Sequence, residues 1–103
     1  MSERLEEFRL KLEQSPENLL FRYSYAQLLS VHNQTKEAID QLIICLDARS
    51  DWMMAIFLKA KLEISLGRKA DAISSLEKTI ELAKSQFHDD PLAEAQELLE
   101  SLL

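Results

Sequence analysis

Three columns of apolar residues run through the sequence at intervals of 34: Leu5, Ile39, Ile73; Phe8, Leu42, Leu76; and Leu12, Leu46, Ile80. The clearest part of the echo is the pair TKEAIDQL (Thr35 to Leu42) and KADAISSL (Lys69 to Leu76). Both contain an acid, Ala, Ile, two polar residues and Leu, in that order. A fainter copy, ERLEEF (Glu3 to Phe8), stands 34 residues upstream with Arg4 in place of the alanine. A fixed period of about 20–50 residues is the mark of stacked supersecondary units, each too small to bury its apolar face alone.

Composition says what the unit is made of. The 103 residues leave room for one domain with a modest core. One Gly and two Pro are too few for the tight turns of an all-β fold. Leu, Ala, Glu, Lys and Gln, all favourable in helices, are abundant. The expected class is all-α.

Apolar spacing then places the helices. Leu5, Phe8 and Leu12 form one stripe over residues 3 to 14, which Ser15-Pro16 ends. A second helix is expected from Pro16 or Glu17 to Val31, closed by His32-Asn33-Gln34 with Asn33 in the left-handed conformation. Thr35 is expected to cap a third, with Ala38, Ile39, Leu42 and Leu46 buried, and Asp51 to cap a fourth. A long helix is expected from Lys69 to about Gln86. After a turn at His88-Asp89-Asp90, Pro91 opens the last helix, whose fixed φ suits a first turn.

The segment LKAKLEISL (Leu58 to Leu66) alternates apolar and polar residues, as a strand would. Turned at about 100° per residue, however, Ala55, Leu58, Leu62 and Leu66 share one face. Met53, Ile56, Phe57, Ala60 and Ile64 share another, leaving two narrow polar wedges, Lys59 with Glu63 and Lys61 with Ser65. A helix packed on two sides has this pattern, and Gly67 supplies its stop.

A 34-residue helix–turn–helix unit resembles the tetratricopeptide repeat. Its small residue midway along the first helix is matched by Ala26 and Ala60. Its Ala followed three residues later by a large apolar residue is matched by Ala38 with Leu42 and Ala72 with Leu76. Gly67 meets the glycine between helices, and Pro16 the closing proline. The early Trp is replaced by Arg22 and Ile56, the later Tyr by Leu29 and Glu63, and the closing Pro by Ser50 and Lys84. The last helix fits with one inserted residue, which puts Ala95 and Leu98 in register with Ala26 and Leu29. The resemblance, most similar to short bacterial members, implies antiparallel helix–turn–helix repeats in an α-solenoid. About two repeats (19–52 and 53–86) would be flanked by capping helices (1–18 and 87–103) in a single domain.

The charges and motifs narrow the function. A formal charge of −6 disfavours a phosphate backbone as partner, so no nucleic acid is expected. The charge is uneven: residues 59–84 carry six bases against four acids, and 89–100 five acids and no base. Such a bias can steer a partner. No apolar run is long enough to span a membrane, and the acid-rich start is not a signal peptide. The single cysteine, Cys45, fits a reducing compartment, so a cytoplasmic protein is expected. His32 and His88 lie in separate turns without a second ligand at metal spacing, and His88-Asp89-Asp90 reads as a solvated turn. Cys45 stands where the repeat needs a small buried residue, and reads as structural. There is no phosphate loop; no catalytic, metal or cofactor site is expected, and the protein is read as not an enzyme.

In proteins that resemble this family, one wedge of the first helix lines a concave peptide-binding groove. That carry-over implies Leu20, Tyr23, Gln27 and Val31 in the first repeat and Met54, Phe57, Lys61 and Ser65 in the second. Leu92, Gln96 and Leu99 would continue the surface. The expected function is a protein-interaction module centred on Leu20, Tyr23, Gln27, Met54, Phe57 and Lys61, taking an apolar or amphipathic segment of another protein. Tyr23 and Gln27 replace the Lys and Asn that some members use for chain-terminal carboxylates. A second expectation is structural: a homodimer or larger homo-oligomer formed through the apolar end, Leu98, Leu99, Leu102 and Leu103.

Overall fold

The computed structural model describes residues 3–103. Six helices follow one another: α1 (Glu3–Gln14), α2 (Leu19–Val31), α3 (Thr35–Ala48), α4 (Met53–Ser65), α5 (Lys69–Ser85) and α6 (Asp89–Leu102). Among the described residues there is no strand; the alternating LKAKLEISL segment lies in α4 and the turn that follows it. α2 and α4 begin and end 34 residues apart, and α3 and α5 begin 34 apart, so the apolar period is also the period of the backbone. The chain forms two compact units, one ending at Ser50 and the other running from Asp51 to Leu103.

In the first unit, α2 packs against both α1 and α3. Ala26 and Ala38 are wholly buried, and small side chains there let helices approach closely. Leu29, Ile39, Leu42 and Cys45 are buried with them. Toward α1, the rings of Phe8 and Phe21 meet edge to face at 6.3 Å. The Lys11 ammonium lies over both, 4.7 Å and 5.6 Å from the ring centres, so the pair keeps a cation on its wet side. In the second unit, Phe57 and Ala60 of α4, Leu76 of α5 and Ala95 of α6 form one cluster. Ile64, Ile80, Leu98, Leu99 and Leu102 pack around it. Ala95 is fully buried, which bears out the one-residue insertion that brings α6 into register.

The turns use one device three times. After α2, α4 and α5 a residue takes a positive φ: Asn33 (62°), Gly67 (73°) and Phe87 (59°). The next N–H donates back to the carbonyl five residues earlier, Gln34 to Leu29, Arg68 to Glu63 and His88 to Ala83, each at 2.9 Å. These are Schellman closures, which satisfy carbonyls a helix end would otherwise leave open. Asn33 was expected in this role; Phe87 was not, because an aromatic residue carries no turn signal.

Four boundary expectations shift. α2 begins at Leu19, after the Asn18 cap, and not at Pro16 or Glu17. Thr35 is the first residue of α3 and Gln34 its cap, because Gln34 already closes the preceding turn. Trp52, not Asp51, precedes α4. α6 begins at Asp89, so Pro91 is its third residue, still within the first turn where a missing N–H costs nothing. Asn18 caps α2 through its side chain: its Oδ1 accepts from the Phe21 N–H at 3.0 Å.

Candidate protein-interaction surface

The expected groove residues lie on corresponding faces of α2 and α4 but differ in exposure. On α2, Leu20 is 67% and Val31 74% exposed, with Gln27 exposed between them. Tyr23 is half-buried, and burial raises its phenol pKa above the usual tyrosine value, with nearby Cys45 adding to the shift. On α4, Met54 is 44% exposed. Phe57 is different: at 2% exposure it is a core residue and offers a partner no surface. Its position at the Leu76–Ala95 contact explains why: the packed face that periodicity gives α4 wins over the groove position that the family resemblance implies.

Lys61 is not an isolated cation either. Its Nζ lies 4.1 Å from the centre of the Phe57 ring and 3.0 Å from a Glu94 carboxylate oxygen of α6. The ammonium thus ties α4 to α6 over the buried ring. On α6, Leu92 and Leu99 are half-buried and Gln96 is exposed. Of the apolar end, Leu98, Leu99 and Leu102 are packed against the core cluster and Leu103 is exposed.

One polar cluster escaped the sequence reading. Glu63, expected on a narrow polar wedge, is 3% exposed. One carboxylate oxygen accepts from Lys59 Nζ at 2.7 Å, and the other from the Ser75 hydroxyl at 2.7 Å. Lys59 Nζ also reaches the Ser75 hydroxyl at 3.3 Å, and Thr79 donates to the Ser75 carbonyl at 2.8 Å. Every carboxylate oxygen has a partner, as a buried ion requires. The missed signal was Ser75 itself, a small hydroxyl residue facing the wedge from the next helix.

The remaining reactive groups are placed apart. The Cys45 thiol is buried and points toward the Leu19 carbonyl, 3.9 Å away; burial pushes its pKa up, partly offset by Arg22. A raised pKa leaves less of the reactive thiolate. His32 and His88 are exposed in different turns. Among the described residues no group of three or more His, Cys, Asp or Glu is placed to hold a metal ion, and no helix is long and apolar enough to cross a membrane.

No family model and no curated protein sequence matches this chain. Solved structures do. The solution structure of a tetratricopeptide repeat domain protein from Salinibacter ruber has a TM-score of 0.76 at 25% identity, over 85% of this chain and 89% of that one. The crystal structure of a tetratricopeptide repeat domain protein from the same organism gives 0.75 at 24%, over 82% and 96%. The solution structure of a protein from Bordetella parapertussis gives 0.85 at 24%, over 99% and 89%. With six helices among the described residues, a 34-residue register and these bacterial structural neighbours, the chain has an all-α helical-repeat fold like that of tetratricopeptide repeat domains.

Proposed function

We propose that the protein is a non-enzymatic protein-interaction module whose first-helix faces take an apolar or amphipathic segment of another protein. The observation that carries this reading is the exposure of Leu20 and Val31, 67% and 74%, on the same face of α2 as Gln27 and Tyr23. Large apolar side chains left in water along one helical stripe cost solvation free energy, which a partner recovers by covering them. Met54 repeats the position of Leu20 on α4, 34 residues on. Met adapts its shape to varied apolar partners. Phe57 drops out of the contact set because it is core, and Lys61 serves it only by shaping the rim beside Glu94.

The test compares proteins retained from cell lysate by the wild type and by the Leu20→Ser/Met54→Ser variant, with helix content checked by circular dichroism. Loss of about tenfold in a retained protein, at unchanged helicity, is the expected result for removing apolar anchors. Equal retention by both proteins overturns the assignment.

A further inference from the structure

α3 carries a second, uncovered apolar pair. Its buried stripe is Ala38, Ile39, Leu42 and Cys45, yet Ile43 and Ile44 are exposed at 41% and 44%. The repeat register shows that the fold does not require them. Thirty-four residues later α5 has Glu77 and Lys78 there, both exposed and charged. Isoleucine also forms helix less readily than the Glu and Lys that α5 carries there, so two of them facing water gain nothing for the helix itself. Two exposed aspartates flank the pair. Asp40, Ile44 and Asp47 follow i, i+4, i+7 spacing, and Asp40, Ile43 and Asp47 follow i, i+3, i+7, so all four lie along one face. Among the described residues neither aspartate takes part in an ion pair, unlike Glu6, Glu7 and Glu13 of α1.

We propose that this face of α3 docks a basic amphipathic helix of another protein, with apolar side chains seated on Ile43 and Ile44 and Lys or Arg facing Asp40 and Asp47. Charge complementarity selects the occupant. A second copy's α3 would set aspartate against aspartate, and the exposed face of α5, with Glu77, Lys78 and Glu81, has no apolar anchor to offer. A helix with apolar residues at i and i+4 and a basic flank satisfies both features at once. The surface shares no residue with the α2 and α4 faces proposed above, and its partner need not be theirs.

The probe is a fluorescently labelled Leu/Lys amphipathic peptide, with a Leu/Glu peptide and a Ser/Lys peptide as controls. Anisotropy should show the Leu/Lys peptide binding and both controls binding about tenfold or more weakly. The decisive variant is Ile43→Glu/Ile44→Lys, which copies the α5 pair into α3 and leaves net charge unchanged. It should weaken binding about tenfold without loss of helicity, because α5 already tolerates those residues. Asp40→Asn/Asp47→Asn should weaken binding and flatten its salt dependence. Leu20→Ser/Met54→Ser should leave it unchanged. Undiminished binding by the Ile43→Glu/Ile44→Lys variant overturns the proposal, as does equal binding of the Ser/Lys peptide, which would reflect general acidity. Weakening by Leu20→Ser/Met54→Ser alone would overturn it in favour of the α2 and α4 faces. Sedimentation showing a dimer abolished by Ile43→Glu/Ile44→Lys would overturn it in favour of a second copy.

Discussion

In the first unit the positions of Tyr25, Leu29, Gln41 and Cys45 are filled mainly by apolar groups, three of them buried. Thirty-four residues later the same positions hold Lys59, Glu63, Ser75 and Thr79, and the last three are buried. Polar groups also bridge α2 to α3 and α4 to α5, and in both cases they meet at one register position, Gln41 and Ser75. In the first unit Arg22 donates to Gln41 Oε1 at 2.5 Å and to the Pro16 carbonyl at 2.8 Å. In the second, Glu63 accepts from Ser75 while Ile56, the counterpart of Arg22, is buried and apolar. The backbone period therefore constrains shape and helix spacing at these sites and leaves the chemistry free.

The strongest way to break this equivalence is through the shared apolar column. Leu42 and Leu76 are both fully buried, and truncating either to Ala removes large side-chain volume from a close-packed site. Each substitution should cost about 2–5 kcal/mol in chemical denaturation. A loss under about 1 kcal/mol at either position, ordinary for a surface change, would show that the two leucines do not play the same part.

The polar cluster sharpens the comparison at a smaller effect. Glu63→Ala removes the carboxylate from the Lys59 ammonium and the Ser75 hydroxyl, leaving Lys59 only the Ser75 oxygen at 3.3 Å, at an expected cost of about 3 kcal/mol. That is the low end for a broken buried pair, because the Lys59 side chain is 22% exposed and reaches water. Replacing the whole cluster by Lys59→Met, Glu63→Leu and Ser75→Ala, toward the apolar chemistry of the first unit, should restore wild-type stability or exceed it. A triple variant as unstable as Glu63→Ala would mean that the ions stabilise the second unit outright.

Much of the helical frame was legible because it rests on spacing. A strict period needs no partner to be seen, and it located α1 to α5 closely, including the helical face of the alternating Leu58–Leu66 segment. What was not legible depends on which neighbour covers a face. Phe57 and Lys61 were implied as groove residues by the family resemblance, but Phe57 packs with Leu76 and Ala95, and Lys61 pairs with Glu94 of α6. Glu63 reads as part of a narrow polar wedge until α5 presents Ser75. Ile43 and Ile44 were hidden for the opposite reason: apolar residues in a helix are read as core, and only comparison with Glu77 and Lys78 marks them as unneeded there.

The turns provide the finest comparison, because one backbone geometry is filled by Asn33, Gly67 and Phe87. A Cβ added to Gly67 would meet nothing within 4 Å, so Gly67→Ala isolates the backbone cost of its φ of 73° and should destabilise by about 1 kcal/mol. The reverse change, Phe87→Gly, relieves about 1 kcal/mol of left-handed strain but gives the unfolded chain back about 0.5 kcal/mol of freedom. The net expectation is a small gain, about 0.5 kcal/mol, read as a raised denaturation midpoint. The Phe87 ring is 88% exposed, so its removal takes little packing away. A loss of stability in Phe87→Gly would break the equivalence of the three turns, because the ring would then have to be stabilising the α5–α6 junction by more than its strain costs.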